Sequence, residues 1–476
     1  MANILISYYS DYGEVLYDAI SEELLRNGNN VFRLNINNPK VFRSKWGGES
    51  EITDKALYND IIKFSPDIIL NFNHSFPQNC QLGLKTDCKI CILDADNPET
   101  FWNKKLYQQN KDKYLYLGLQ SYSKKMYEDS IGKNLTDGLD YLYFPPATMV
   151  KNKKCKQDKN ISFIGSNFYP LNGIPPMGNF YHPEIVELYK NICEDYYFPI
   201  EQGKEVCKSI SDINWAYTMV RGYLSGQYRL KFLQSISDIG LVIYGDRNWE
   251  KIRAYDFDLE KCYDKKIIKS LEDNQWVYNT SKISINISHP QAKTSFSWRV
   301  MDIMASNSCL LMEDKPDWRD LFEKYLSTQT IKAIIYKDRF DMREKAIKLL
   351  KDDKLRQKCV AELNNAIAKN GRWKHRMQSL QKFLNINLMN LTNKSPEYIY
   401  IQHISDISNK TKPNQSSIVT PIKNKKNFIQ KLKLKQRVIL TLNLLLLMVA
   451  QIPIIDFMIP KKKRMKLHRL LETYKR

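Results

Sequence analysis

Between positions 286 and 302 the chain runs Asn286-Ile-Ser-His289-Pro290, then Thr294-Ser295-Phe-Ser297-Trp-Arg299, and then Asp302. The order reads as a strand end, a Ser/Thr-rich loop and a helix beginning near Trp298. A helix start presents unpaired backbone N–H groups, and its dipole favours an anion. Ser295 or Ser297 at the cap, with Arg299 in the first turn, would add a hydroxyl and a full positive charge, and that chemistry suits a diphosphate. His289 precedes this loop at the strand end. Asp302 falls one turn beyond Arg299 on roughly the same face, and its carboxylate can accept two hydrogen bonds from ribose hydroxyls. The competing reading is an Arg299–Asp302 ion pair on a solvated helix face.

Four other strand ends carry residues of the right type. Ile161-Ser-Phe-Ile-Gly165-Ser166 ends in a pair small enough to let a phosphate approach the backbone, or in an ordinary tight turn. Leu241-Val-Ile-Tyr-Gly245-Asp246 also ends in glycine, followed by a polar and aromatic loop suited to a nucleotide base. His74 follows Asp67-Ile-Ile-Leu-Asn-Phe-Asn, and Asp94 and Asp96 follow Cys88-Lys-Ile-Cys-Ile-Leu. An imidazole and two carboxylates at strand ends can orient a hydroxyl or take its proton, although each can equally bond its own loop backbone. Cys88 and Cys91 have a metal-like spacing. In a strand, however, residues three apart point to opposite faces, and no matching Cys/His pair exists, so no zinc site is expected.

These residues need a framework that brings strand ends together. Asn3–Ser7, Asn30–Asn35, Asp67–Phe72, Cys88–Asp94 and Tyr114–Leu119 read as strands separated by helical stretches, with a further edge near Asp140–Pro146. A second series begins at Asn160-Ile-Ser-Phe-Ile and continues through Asp238–Asp246, Ser281–Ile287 and Ser308–Met312, with helices near 318–326 and 340–384. Alternating strands and helices imply parallel, doubly wound sheets whose ligands sit at the carboxyl ends of the strands. We therefore expect an α/β protein with an N-terminal Rossmann-like domain over 1–150 and a second over 159–385. A polar linker is expected over 392–421 and a basic, apolar tail over 422–476.

The stretch from about Asn160 to Arg376 resembles the GT-B glycosyltransferases, and within them the spore-maturation-protein group called CgeB-like. The similar phrases are Phe-Ile-Gly-Ser, Ile-Tyr-Gly-Asp-Arg-Asn-Trp, the run from Tyr278 to Ile287, and Arg299-Val-Met-Asp-Ile-Met-Ala-Ser-Asn-Ser-Cys-Leu-Leu-Met. The resemblance implies two Rossmann-like domains facing across a cleft, with the nucleotide-sugar donor on the second and the acceptor on the first. Asp302 takes the position of a ribose-binding Glu, and Asn307 that of a Gly. Ser295 replaces an acidic residue found in many relatives. Gly165, Ser166, Gly245, Asp246, His289, Ser295, Ser297, Arg299 and Asp302 are the implied donor-binding residues. His74, Asp94, Asp96 and Arg299 are the candidates for catalysis. The resemblance also implies phosphate stabilisation by helix and Arg, with neither cofactor nor metal.

The net charge of +21 points first to nucleic acid, but its distribution argues otherwise. Residues 421–476 carry fifteen Lys and Arg against Asp456 and Glu472, a net +13, and the rest of the chain shows no stacking or reading module. Residues 437–459 are apolar but interrupted by Asn443, Gln451, Pro453 and Asp456, with basic clusters on both flanks. That pattern suits a helix lying on an anionic cytoplasmic leaflet more than one crossing it, the competing reading being a helix packed on the protein or on a partner. The N-terminus reads as a strand rather than a signal peptide, and the nine cysteines suit a reducing compartment. The expectation is a cytoplasmic, peripherally membrane-bound glycosyltransferase. It would act on a saccharide or lipid-linked acceptor in surface polysaccharide synthesis, such as capsule or lipopolysaccharide. The rivals are a non-catalytic nucleotide- or membrane-binding protein of degenerate GT-B fold, and a nucleotide-binding oxidoreductase or epimerase. The latter needs Gly-x-Gly-x-x-Gly after the first strand, where only Gly13 occurs.

Overall fold

The computed structural model describes residues 1–401 except 10–13, 38–41, 46–48, 82, 96–107, 109–110, 169–181, 255, 267, 269 and 393–394. Asp96, the 422–476 tail and most of the 392–421 segment lie outside the described residues.

The first sheet is built from β1 (Asn3–Tyr8), β2 (Asn30–Asn35), β5 (Ile68–Phe72), β6 (Lys89–Leu93), β7 (Tyr114–Gly118) and β8 (Tyr141–Tyr143). A small antiparallel pair, β3 (Phe42–Lys45) and β4 (Glu49–Ile52), stands apart from it. The second sheet comprises β9 (Lys159–Ile164), β10 (Leu241–Tyr244), β11 (Ser281–Asn286), β12 (Cys309–Glu313) and β13 (Ile335–Tyr336). Every pairing within these two sheets is parallel. Strands such as β5, buried along its whole length, read as continuous apolar runs because helices cover both faces. The order β10-β9-β11-β12-β13 reverses direction between β9 and β11, and the first sheet reverses between β1 and β5. Those switch points are where a doubly wound sheet opens a crevice for ligand, and they place His74 after β5 and residues 287–299 after β11. The expected architecture is thus borne out: two Rossmann-like units facing across a cleft.

Two parts of the chain differ from expectation. Residues 398–401, read as linker, form β14 (Tyr398–Ile401), which adds to the edge of the first sheet beside β2. The alternation Tyr-Ile-Tyr-Ile has the period of a strand, and its tyrosines cover a buried cation. Arg33, only 2% exposed, pairs with Glu14 and Asp18 and lies 4.7 Å from the Tyr400 ring, while the Tyr400 hydroxyl donates to Glu14 at 2.6 Å. The second difference is the helix Trp373–Leu384, expected to close the second unit. Its Trp373, Met377, Leu380 and Leu384 pack instead into the core beneath the first sheet, with Ile4, Ile6, Leu24 and Leu70. The long helical reading over 340–384 resolves into Arg339–Lys351, Asp353–Asn370 and Trp373–Leu384. The first break is set by Asp352, whose side chain caps the second helix through Leu355 N at 2.9 Å. The chain thus crosses between the units at 145–151 and again at 370–376.

The insertion after β9 is helical, with Pro183–Glu194, Ile200–Val206 and Ile213–Gln234 forming their own apolar cluster. On the last helix Arg221, Ser225 and Arg229 follow one another at four-residue spacing, which puts them on one face, and all three are buried. That face turns toward the carboxyl ends of β9 and β11.

Candidate active site

On the first unit, β5 is followed by Asn73 and His74, both in the left-handed backbone region (φ 48° and 55°), which turns the imidazole toward the neighbouring strand end. There its Nε2 lies 2.9 Å from Asp94 Oδ2, with both residues buried. The Asp94 backbone N–H donates to the Tyr127 hydroxyl at 3.0 Å, which fixes the strand end. The loop reading of His74 and Asp94 as separate, backbone-bonded residues is therefore replaced by a carboxylate–imidazole pair.

On the second unit the 286–302 stretch folds as strand, loop and helix, but its serines do not cap. Ser297 occupies the N-cap position of the helix Trp298–Met304, yet its hydroxyl donates to Asn286 Oδ1 at 2.7 Å. Ser295 donates to the carbonyl of Leu119 on the first unit at 3.0 Å, so it clasps the two units together. The helix has only seven residues and contributes a weak dipole, which leaves the positive charge of Arg299 to dominate. Among the described residues Arg299 takes part in no ion pair, and the Arg299–Asp302 pair does not form. The unpaired guanidinium lines the space between the units.

That space is a cavity of about 200 Å³ lined by Asp94, Gln120 and Met126 from the first unit and by Tyr197, His289, Ser295, Ser297 and Arg299 from the second. Along one rim the units touch through Ser121 Oγ donating to Asp317 at 2.6 Å and Gln120 Nε2 donating to the Gln291 carbonyl at 3.2 Å. The cavity thus has a carboxylate contributed by the first unit and, from the second, a guanidinium in no ion pair among the described residues.

Two buried arginines stand behind the second wall, and reading the sequence by strand ends missed both. Arg229 donates to the carbonyls of Ser166 (2.6 Å) and Ile287 (3.1 Å), tying the ends of β9 and β11, and Phe168 lies 4.4 Å from its guanidinium. Burial first, and Arg299 second, push Arg229 down to about 9, and no carboxylate forms an ion pair with it among the described residues. Arg221 donates to the Tyr196 carbonyl at 3.1 Å. The four-residue spacing of Arg221, Ser225 and Arg229 was the signal available. Between these arginines sits His289, pushed down to about 3 by burial, then by Arg229 and Arg221. Its Nδ1 accepts from Gln291 N at 3.2 Å, so Nε2 carries the proton and donates to Ser225 Oγ at 3.0 Å. Both ring nitrogens are thereby engaged, and a neutral His289 shapes the wall.

Asp302 faces a second cavity, of about 340 Å³, which also contains Arg299, Thr148 and Asn274 among apolar residues such as Val15, Leu16 and Leu271. Burial pushes its carboxyl up to about 7, against the opposing pull of the Thr148 hydroxyl, Arg299 and Arg372. Gly165, Ser166, Gly245 and Asp246 line neither cavity. A Cβ on Gly245 would stand 2.3 Å from the Gly165 carbonyl oxygen and 2.6 Å from Trp249 Nε1, so close packing of two strand ends requires this glycine. Asp246 instead caps its own loop through Asn248 N at 2.9 Å. Among the described residues no group of three or more His, Cys, Asp or Glu side chains is placed to hold a metal ion.

Residues 229–382 match the family model described as glycosyl transferase-like. That match bears out the expected enzyme class, glycosyltransferase. Among solved structures, a T4 phage BGT in complex with UDP and Mn2+ aligns with a TM-score of 0.40 and 13% identity, over 80% of this chain and 99% of that chain. A glycosyltransferase from Rickettsia africae ESF-5 aligns at 0.42 with 11% identity, over 82% of this chain and 99% of that chain. No curated protein matches the chain.

Proposed function

We propose that the protein transfers a sugar from a nucleotide-sugar donor to an acceptor hydroxyl in the cleft between its two units. The observation that carries this reading is that Asp94, paired with His74 on the first unit, and Arg299 of the second unit, in no ion pair among the described residues, line one cavity. Asp94 takes the acceptor proton as the acceptor oxygen bonds to the anomeric carbon. The bond from that carbon to the donor phosphate oxygen breaks, and its electron pair leaves with the diphosphate. Arg299 stands where that negative charge grows, and the fixed charges of Arg221 and Arg229 behind it add to the field without moving, the electrostatic effect that commonly contributes most to such steps. His74 orients Asp94. Asp302 receives the donor ribose in the second cavity.

The CgeB-like grouping, the surface-polysaccharide acceptor and attachment to an anionic membrane belong to the same proposal. The sequence phrases from Asn160 to Arg376 support the first, and the basic, interrupted apolar run at 431–464 supports the others. Incubating the full chain with UDP-, GDP-, ADP- and CMP-sugars, and measuring both thermal stabilisation and slow donor hydrolysis, tests the reaction. Stabilisation and hydrolysis by one nucleotide class are expected. Stabilisation without turnover of any donor would instead mark a nucleotide-binding protein that retains the fold.

A further inference from the structure

The two crossings of the chain between the units meet at one residue. Thr148, 2% exposed, donates its backbone N–H to the carbonyl of Gly371 at 3.0 Å, joining the first crossing to the second. Around it Arg372 holds the Val150 carbonyl, and Arg376 donates to the carbonyls of Pro145 (2.8 Å) and Pro146 (3.3 Å). The Thr148 hydroxyl has one orientation open to it. It accepts from Val150 N at 2.9 Å, so its own proton points to Asp302 Oδ1 at 2.6 Å. One oxygen of the Asp302 carboxylate is thereby occupied from the crossing, while the residue borders the 340 Å³ cavity beside Arg299.

We infer that Thr148 is a positioning residue for the donor: it fixes the Asp302 carboxylate so that the second oxygen is presented to the sugar hydroxyls of the donor nucleoside, and so ties donor recognition to the joint between the units. The inference rests on the proposed role of Asp302 in donor binding. It has an electrostatic corollary. Asp302 is enclosed by Arg299 on its own helix, Arg372 from the second crossing, Tyr278 from the helix Leu271–Thr280, and Thr148 from the first crossing. A hydroxyl donating to the ionised carboxylate favours the charged form, which accepts hydrogen bonds from both of its oxygens. Without that hydroxyl the carboxyl holds its proton to higher pH.

The test uses the full chain as wild type, Thr148→Val, Thr148→Ser and Asp302→Ala, titrated calorimetrically with UDP-glucose, UDP-N-acetylglucosamine, GDP-mannose and ADP-glucose from pH 5.5 to 9. For the donor that binds wild type, Thr148→Val is expected to weaken binding about tenfold at pH 7 and to move the midpoint of its pH dependence upward. Thr148→Ser restores both. A valine variant with wild-type affinity and an unmoved midpoint, beside an Asp302→Ala variant that has lost binding, overturns the role of Thr148 and leaves the donor site standing. Wild-type affinity in Asp302→Ala, or no binding of any of the four donors to wild type, overturns the donor reading itself. If the valine variant does not fold, Thr148→Ala against Thr148→Ser gives the same contrast.

Discussion

His74 Nε2 lies 2.9 Å from Asp94 Oδ2, and the imidazole reaches that position because β5 is followed by two residues, Asn73 and His74, with left-handed backbone. Non-glycine residues adopt that conformation rarely and at a cost, which here is met by the surrounding sheet. The outcome is a carboxylate held in a fixed direction at the edge of a cavity whose opposite wall carries Arg299.

Asp94→Asn removes the base while keeping the shape and the hydrogen bond to His74. Its kcat is expected to fall by about 10²–10⁴, with donor affinity and melting temperature close to wild type. Steady-state kinetics together with donor titration check this, and a variant that keeps wild-type kcat removes Asp94 from the mechanism.

His289 titrates the stability of the second unit. Its imidazole is pushed down to about 3 by burial and by Arg229 and Arg221, whereas the unfolded chain protonates near 6.5. The stabilisation it contributes is complete above pH 6.5 and is lost as pH falls from there toward 3. Urea unfolding at pH 7, 5.5 and 4.5 should show wild type losing stability more steeply than His289→Asn, by on the order of 1–3 kcal/mol over the range. Parallel losses in the two proteins would show that His289 is not held neutral.

Asp302 works in the opposite direction. Burial raises its carboxyl to about 7 from a usual 3.8, so the folded protein keeps a proton that the unfolded chain releases. The stabilisation is full below pH 3.8 and is lost as pH rises through 7. Asp302→Asn resembles the protonated form. Its advantage in stability over wild type should grow between pH 5 and pH 7 by on the order of 1–3 kcal/mol and level off above that. A difference that does not vary with pH contradicts the raised carboxyl.

Removal of residues 422–476 is expected to abolish sedimentation with phosphatidylserine vesicles at low salt while leaving donor turnover unchanged. Persistent vesicle binding by the shortened chain would refute the membrane role given to the tail.

The sheets were readable from their apolar runs because both are covered by helices on two faces, which buries most residues of the inner strands and keeps Ile, Leu and Phe frequent in them. The candidate site was readable only at strand ends and at one helix start. His74, Asp94, Arg299 and Asp302, the candidates the structure places on the two cavities or against their walls, were singled out in this way, but their partners were not. Thr148 and Arg229 act across long sequence separations, bonding Asp302 at 154 residues and Ser166 at 63, and no local period records such a contact. The serines misled for a related reason. Ser297 has the position of a cap, yet Asn286 on the preceding strand competes for its hydroxyl and wins at 2.7 Å. Gly245 looked like part of a nucleotide-binding loop because a glycine at a strand end serves ligand approach and close packing equally, and only the 2.3 Å separation from the Gly165 carbonyl distinguishes them. The Tyr-Ile-Tyr-Ile run at 398–401 had the alternation of a strand but lay within a polar stretch that masked it.

The charge assigned to Arg299 is tested most directly by calorimetric titration of the bound nucleotide sugar into wild type, Arg299→Lys and Arg299→Ala at fixed ionic strength. Because Arg299 is in no ion pair among the described residues, all three should stay folded at the temperature of the titration. Arg299→Ala should bind the donor at least about tenfold more weakly, and lysine should restore part of the loss, since it keeps the charge but not the planar two-point contact. Undiminished donor affinity in a folded Arg299→Ala protein would contradict the placement of the diphosphate in this cleft.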